Sequence, residues 1–125
     1  MKNLALITAI IVMLFSLSAC GGSTVKLDET TNGQTVALKV GQKLTISLEG
    51  NPTTGYSWQV RAGSEHLDLL SQEYEPGGTA AGAGGVEVFR FRALAPGETE
   101  IAFDYRRPWE REVHTSRRFR VAISG

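Results

Sequence analysis

Apolar and polar residues alternate with a period of two from near residue 36 to the C-terminus, and this constrains the fold more than any other feature. Val36, Leu38 and Val40 interleave with Ala37 and Lys39, and Leu44, Ile46 and Leu48 with Thr45 and Ser47. Trp58 and Val60 bracket Gln59, while Phe89, Phe91 and Ala93 interleave with Arg90 and Arg92. Ile101, Phe103 and Tyr105 follow, then Phe119, Val121 and Ile123. Successive side chains of a strand point to opposite faces, so the pattern describes strands with one buried face and one wet face. No segment after residue 20 carries a helical period. The runs predict strand A over 35–40, B over 43–49, C over 56–62, D over 67–75, E over 86–94, F over 99–106 and G over 117–123. Strand D is less regular, because Leu69-Leu70 breaks the alternation as a bulge would. The expected fold is all-β, an immunoglobulin-like antiparallel β-sandwich of about seven strands. Trp58, in the middle of strand C, is expected in its core.

The N-terminus has a different character. Met1-Lys2-Asn3 is a short positive segment, and Leu4 to Leu17 is an almost unbroken apolar run of 14 residues. That length suits a signal peptide core of roughly 7–15 residues and falls short of the ~20 needed to span a bilayer. Leu17-Ser18-Ala19-Cys20 resembles the bacterial lipoprotein processing box, in which the cysteine is lipidated on sulfur and becomes the new N-terminus. Cys20 is the only cysteine, so no disulfide can form within the chain. Diacylglycerol on its sulfur would supply two acyl chains, enough for stable anchoring. Residue 21 is Gly rather than Asp, which by resemblance to known sorting rules favours the outer membrane in a Gram-negative source. The expected organisation is a signal peptide over 1–19, a lipidated N-terminus and tether over 20–33, and one domain over 34–125. The protein is then exported and membrane-anchored, facing the periplasm or the cell surface.

Removing residues 1–19 leaves 106 residues with 12 basic and 13 acidic side chains. So near-neutral a chain has no electrostatic footprint for nucleic acid. About 106 residues can bury enough surface for one core without disulfides, and a monomer is expected. No Gly-x-Ser-x-Gly elbow occurs, the single cysteine is the lipidation candidate, and His66 and His114 lack metal-ligand spacing. Both histidines read as surface residues. No enzyme, metal or cofactor is expected.

If each strand runs opposite to the last, the B–C, D–E and F–G connections emerge at one end. The other end receives plain turns at Gly41-Gln42, Ala62 to His66 and Ala95-Pro96-Gly97. The first set is unusual. Asn51-Pro52-Thr53-Thr54-Gly55 can be a stiff turn or a pre-ordered contact loop. Pro76 to Gly85 can be a flexible low-complexity loop, or bare backbone able to bond along a partner. Arg106 to Glu112 can be a salt-bridged tip, yet Trp109 has little core to enter there and belongs to a residue type enriched at binding hot spots. Unusual loops gathered at one end suggest a binding tip.

Asn51-Pro52-Thr53-Thr54-Gly55-Tyr56-Ser57-Trp58, Gly82-Ala83-Gly84-Gly85 and Arg107-Pro108-Trp109 resemble, in order, the three loop motifs of the chagasin family of cysteine protease inhibitors. The likeness covers essentially the whole domain. It implies a wedge of three loops filling the active-site cleft of a papain-like cysteine protease, reversibly and without cleavage. Thr53 and Thr54 would lie over the catalytic Cys and His, and Gly82 to Gly85 would run along the substrate side through main-chain bonds. Arg107, Pro108 and Trp109 would cover the other side, and Tyr56 would hold the spacing between the B–C and F–G loops. The alternative is a surface-anchored adhesion or envelope-assembly module, since the same sandwich supports many functions.

Overall fold

The alternation resolves into two four-stranded sheets packed face to face. The computed structural model describes residues 23–78 and 84–125, so the leader, Cys20, Gly82 and Ala83 lie outside the described residues. The strands are β1 (Val25–Leu27), β2 (Thr35–Lys39), β3 (Lys43–Gly50), β4 (Ser57–Ala62), β5 (Leu67–Pro76), β6 (Gly85–Ala93), β7 (Gly97–Arg106) and β8 (Thr115–Ser124). One sheet has the order β1-β3-β6-β5 and the other β2-β8-β7-β4. Strands β2 to β8 are the predicted strands A to G, with ends moved by one or two residues. The irregularity expected at Leu69-Leu70 is a register shift between Leu69 and Ser71 where β5 pairs with β6.

Three differences from the sequence expectation have physical causes. Strand β1 is an eighth strand, within the segment assigned to the tether; its apolar signal is only Val25 and Leu27 around Lys26, too short to register as alternation. The sheets are also not wholly antiparallel, because β1 runs parallel to β3 and β2 parallel to β8. Both β1 and β2 are edge strands whose connections cross from one sheet to the other, so neither can form a hairpin with its sequence neighbour. Val40 leaves the strand and stands 44% exposed in the turn, since the chain reverses at Gly41, whose φ of 88° lies in the left-handed region.

Phe89 and Phe91 from one sheet meet Phe103 and Phe119 from the other, all fully buried. The rings of Phe89 and Phe103 lie 4.8 Å apart at 58°, and those of Phe103 and Phe119 lie 5.8 Å apart edge to face. Such tilted pairs add about 0.5–1.5 kcal/mol each beyond their area burial. Trp58 is buried, as expected from strand C.

Glu87 is the one buried charged residue among those described. It sits on β6 in the same parity as Phe89 and points between the sheets, where its carboxylate accepts the Trp58 N–H at 2.9 Å. The Trp58 indole N–H donates in turn to the Glu49 carbonyl at 2.9 Å. One side chain from each sheet therefore bonds to the other sheet directly beneath the B–C loop. Loss of solvent raises the Glu87 carboxyl above the ordinary glutamate range, and the Trp58 N–H offsets this only in part.

A carboxyl raised by folding holds its proton more tightly in the folded state. The Glu87 contribution to stability is therefore greatest below the ordinary glutamate pKa, declines as pH rises through the raised value, and is flat above it. Glu87→Gln, which keeps an acceptor for the Trp58 N–H, is expected to remove that decline. Glu87→Ala strands the N–H and is expected to cost about 1–3 kcal/mol. Urea unfolding at pH 4 and pH 7 measures both effects.

Candidate functional site

The B–C loop is a single turn of 3-10 helix, Pro52–Thr54, closed at both ends by its own residues. Pro52 occupies the first position, where its missing N–H costs nothing. Asn51 caps the turn: its side-chain oxygen accepts from the Thr53 N–H at 3.2 Å and from the Thr53 hydroxyl at 2.6 Å. The Asn51 carbonyl accepts from the Thr54 hydroxyl at 2.7 Å and the Thr54 N–H at 3.2 Å. Gly55 ends the turn at φ 84°, donating its N–H to the Pro52 carbonyl at 3.0 Å. Both threonine hydroxyls are thus spent on loop rigidity while the side chains stay exposed at the tip. The Asn51 N–H donates to the Tyr105 hydroxyl at 3.1 Å, which fastens the loop root to β7.

The F–G loop is shaped by two arginines. The Arg106 guanidinium donates to the Pro108 carbonyl at 3.4 Å and the Glu110 carbonyl at 3.0 Å, bending residues 107–110 around itself. Arg107 donates to the Glu110 carboxylate at 3.1 Å and, through Nε, to the Thr54 carbonyl at 3.2 Å. The ion pair within the tip and the link to the neighbouring loop thus share one side chain. Pro108 is exposed and Trp109 is 72% exposed, so the indole is not a core residue. Its edge nevertheless lies over Gly55: a Cβ built there would stand 2.9 Å from the Trp109 ring. Only glycine meets both demands at position 55, the left-handed backbone and the space.

Tyr56 lies between the two loops. Its ring stacks on Tyr105 at 5.3 Å and 20°, faces His114 at 5.5 Å, and carries the Arg107 guanidinium 4.5 Å from its centroid. Tyr105 continues the column onto Trp58 at 4.7 Å. An aromatic stack therefore runs from the core to the tip, capped by a cation over a ring face.

The D–E loop belongs to the other sheet, as the hairpin between β5 and β6. The Gly77 N–H donates to the Gly84 carbonyl at 2.9 Å and closes the loop base. Gly84 is exposed and lies beside the Gly50 carbonyl and Asn51, next to the B–C root. Gly85 is already the first residue of β6, half-buried and in register with Gly50 on one side and Pro76 on the other. It roots the loop, and its backbone is part of the sheet ladder rather than bare. Gly82 and Ala83 fall outside the described residues. Thus Asn51 to Tyr56, Gly84, Gly85 and Arg107 to Trp109 are assembled at one end of the sandwich.

Sequence reasoning missed several members of this site. The alternation marks Tyr105 only as a core-facing residue of strand F, and nothing in the sequence distinguishes Arg106 from its charged neighbours. Glu87 carried a signal in its parity with Phe89 and Phe91. His114 is exposed, as expected, but not isolated, and His66 is not a free surface residue. His114 joins the aromatic column, and His66 is half-buried under Gly97 with Nδ1 3.5 Å from the Ala95 carbonyl. Among the described residues no group of His, Cys, Asp and Glu is placed to hold a metal ion.

A sandwich that presents two cross-braced loops, the root of a third and an exposed indole at one end belongs to the class of loop-based binding modules. Comparison with known proteins narrows the class. The family model described as "Chagasin family peptidase inhibitor I42" matches residues 37–123. The chain is 32% identical over 104 residues to chagasin of Trypanosoma cruzi, covering 78% of this chain and 94% of that protein. The fold is shared with the cysteine protease inhibitor EhICP2 of Entamoeba histolytica at a TM-score of 0.75 and 24% identity, over 81% of this chain and 96% of that one. It is shared also with PbICP-C, solved in complex with falcipain-2, at a TM-score of 0.58 and 19% identity, over 83% and 92% of the two chains. The protein belongs to the chagasin family of peptidase inhibitors.

Gly55→Ala forces a Cβ into the left-handed region and against Trp109. It is expected to lower the unfolding free energy by about 1–2 kcal/mol. Denaturant titration followed by tryptophan fluorescence checks this, with Trp109→Ala/Gly55→Ala recovering the part due to the clash.

Proposed function

We propose that the protein is a reversible, tight-binding inhibitor of papain-like cysteine proteases, acting by occlusion of the cleft and not itself an enzyme. The observation that carries this reading is the state of the B–C tip, three of whose carbonyls are already engaged. The Asn51 carbonyl is held by Thr54, the Pro52 carbonyl by Gly55, and the Thr54 carbonyl by Arg107. A protease cleaves extended backbone with a carbonyl free for attack and aligned to its nucleophile. A curled turn with three of its carbonyls bonded inward is not extended backbone, and it fills the space over the catalytic Cys and His without offering that geometry.

The flanking loops supply contact. Pro108 and Trp109 present apolar surface on one side, with Arg107 bracing them against Thr54 and Tyr56. On the other side, Gly84 offers exposed main chain with no side chain to cover it, while Gly85 holds the base. Little loop entropy remains to be lost on docking, because the B–C and F–G loops are cross-braced before they meet an enzyme. We further infer a lipid anchor at Cys20, resting on the apolar leader and the Leu17-Ser18-Ala19-Cys20 box, which would hold the inhibitor at a membrane surface.

Titration of papain with a soluble form beginning at Gly21 tests the inhibitor reading. Stoichiometric, reversible loss of activity with the added protein intact is the expected result. Rapid cleavage, or no effect at high concentration, would favour the adhesion module instead. Trp109→Ala is expected to raise the inhibition constant about 30-fold, a hot-spot loss of about 2 kcal/mol. An unchanged constant removes Trp109 from the contact surface.

A further inference from the structure

Strand β1 fixes where the N-terminal segment leaves the domain. It runs parallel to β3, with Val25 beside Leu44 at the start of that strand, and β3 ends at Gly50, the root of the B–C loop. The chain therefore enters the sandwich at the pole opposite the three loops. The entry point is tied down: the Gln42 side-chain amide donates to the Ser23 carbonyl at 3.0 Å, and Gln42 itself lies in the turn between β2 and β3. Only Gly21 and Gly22 stand between Cys20 and Ser23. Three residue steps span at most about 11 Å even when fully extended.

The same pole exposes apolar side chains. Val40 is 44% and Leu94 46% exposed. The Gly41 N–H donates to the Ala93 carbonyl at 2.8 Å, and the Ala93 N–H donates to the Gln42 carbonyl at 2.9 Å, which seats the Val40 turn against the 93–94 segment. Lys39 and Lys43 flank this patch, and Glu65 is the exposed acid of the neighbouring 63–66 turn.

We propose that this pole, centred on Val40 and Leu94, is a docking surface for the lipid bilayer, so that the three loops point away from the membrane. The proposal rests on the lipid-anchor reading of Cys20. The occupant is set by chain length and exit point: a lipid held in the bilayer at Cys20 keeps Ser23 within about 11 Å of the interface. The apolar pair then meets the headgroup boundary, and the two lysines face the anionic fraction of its headgroups. The eight residues of β3 put the loops about 26 Å further out, at roughly 3.3 Å per residue. The anchor thereby leaves the whole loop end open to a protease in the aqueous phase.

The test uses the full chain produced in a bacterium, purified in its processed form and reconstituted into phosphatidylethanolamine–phosphatidylglycerol vesicles containing a headgroup-nitroxide lipid. A thiol-reactive fluorophore is placed at Val40→Cys, Leu94→Cys or Arg111→Cys, all exposed positions, with Cys20 blocked by its lipid. Expected is at least a twofold quenching at positions 40 and 94 and none at 111. Quenching at 111 equal to that at 40, or none at 40 and 94, overturns the orientation. The mass of the N-terminal peptide is read in parallel. An unmodified Cys20 overturns the anchor and this proposal with it, whereas a lipidated Cys20 with the wrong quenching pattern overturns the orientation alone. Val40→Asp/Leu94→Asp, labelled at Lys39→Cys, is expected to lose quenching while keeping the lipid, and unchanged quenching would remove the apolar pair from the contact.

Discussion

The loop end depends on Trp58. Its indole N–H reaches the Glu49 carbonyl in one sheet, its backbone N–H is held by the Glu87 carboxylate from the same sheet, and its own strand belongs to the other. Burying an acid between two sheets is costly unless its bonds are met. Here the cost fixes how the sheets sit against each other at the point where the B–C loop crosses between them. The aromatic column of Trp58, Tyr105 and Tyr56 stands on this junction, and the loops stand on the column.

Rigidity achieved in this way is what the proposed occlusion of a protease cleft would require of the B–C loop. Thr53, Thr54 and Asn51 use their polar atoms on one another, so the tip keeps its curl without help from a partner. Arg107 adds a brace from the adjacent loop. No buried side-chain polar atom among the described residues lacks a hydrogen-bond partner.

Most of the strands were legible because the alternation is a direct image of burial: Leu44, Ile46 and Leu48 are all fully buried. Strand parity also placed the three unusual loops at one end. Strand β1 was not legible, since two apolar residues are below the length at which a period can be recognised, and its pairing is decided by β3. The lock between Gly55 and Trp109 joins residues far apart in sequence, and nothing in either loop alone announces it. His114 shows the same limit: a single histidine after a charged loop carries no sign that two tyrosines will stand beside it. Gly85 shows the converse, because its glycine-rich context suggested free backbone although β3 and β5 had already claimed it.

The three loops also have different parentage. One crosses between the sheets, one is a hairpin of the second sheet, and these two are welded together by Arg107 and by the indole over Gly55. The third, between Gly77 and Gly84, is a hairpin of the first sheet and is closed by its own backbone bond. Lengthening such a hairpin costs little closure entropy and disturbs neither weld. The design therefore combines a fixed gauge with one adjustable arm. On the proposed inhibitor reading, a change in that one arm's length would alter which enzymes fit without rebuilding the braced pair of loops.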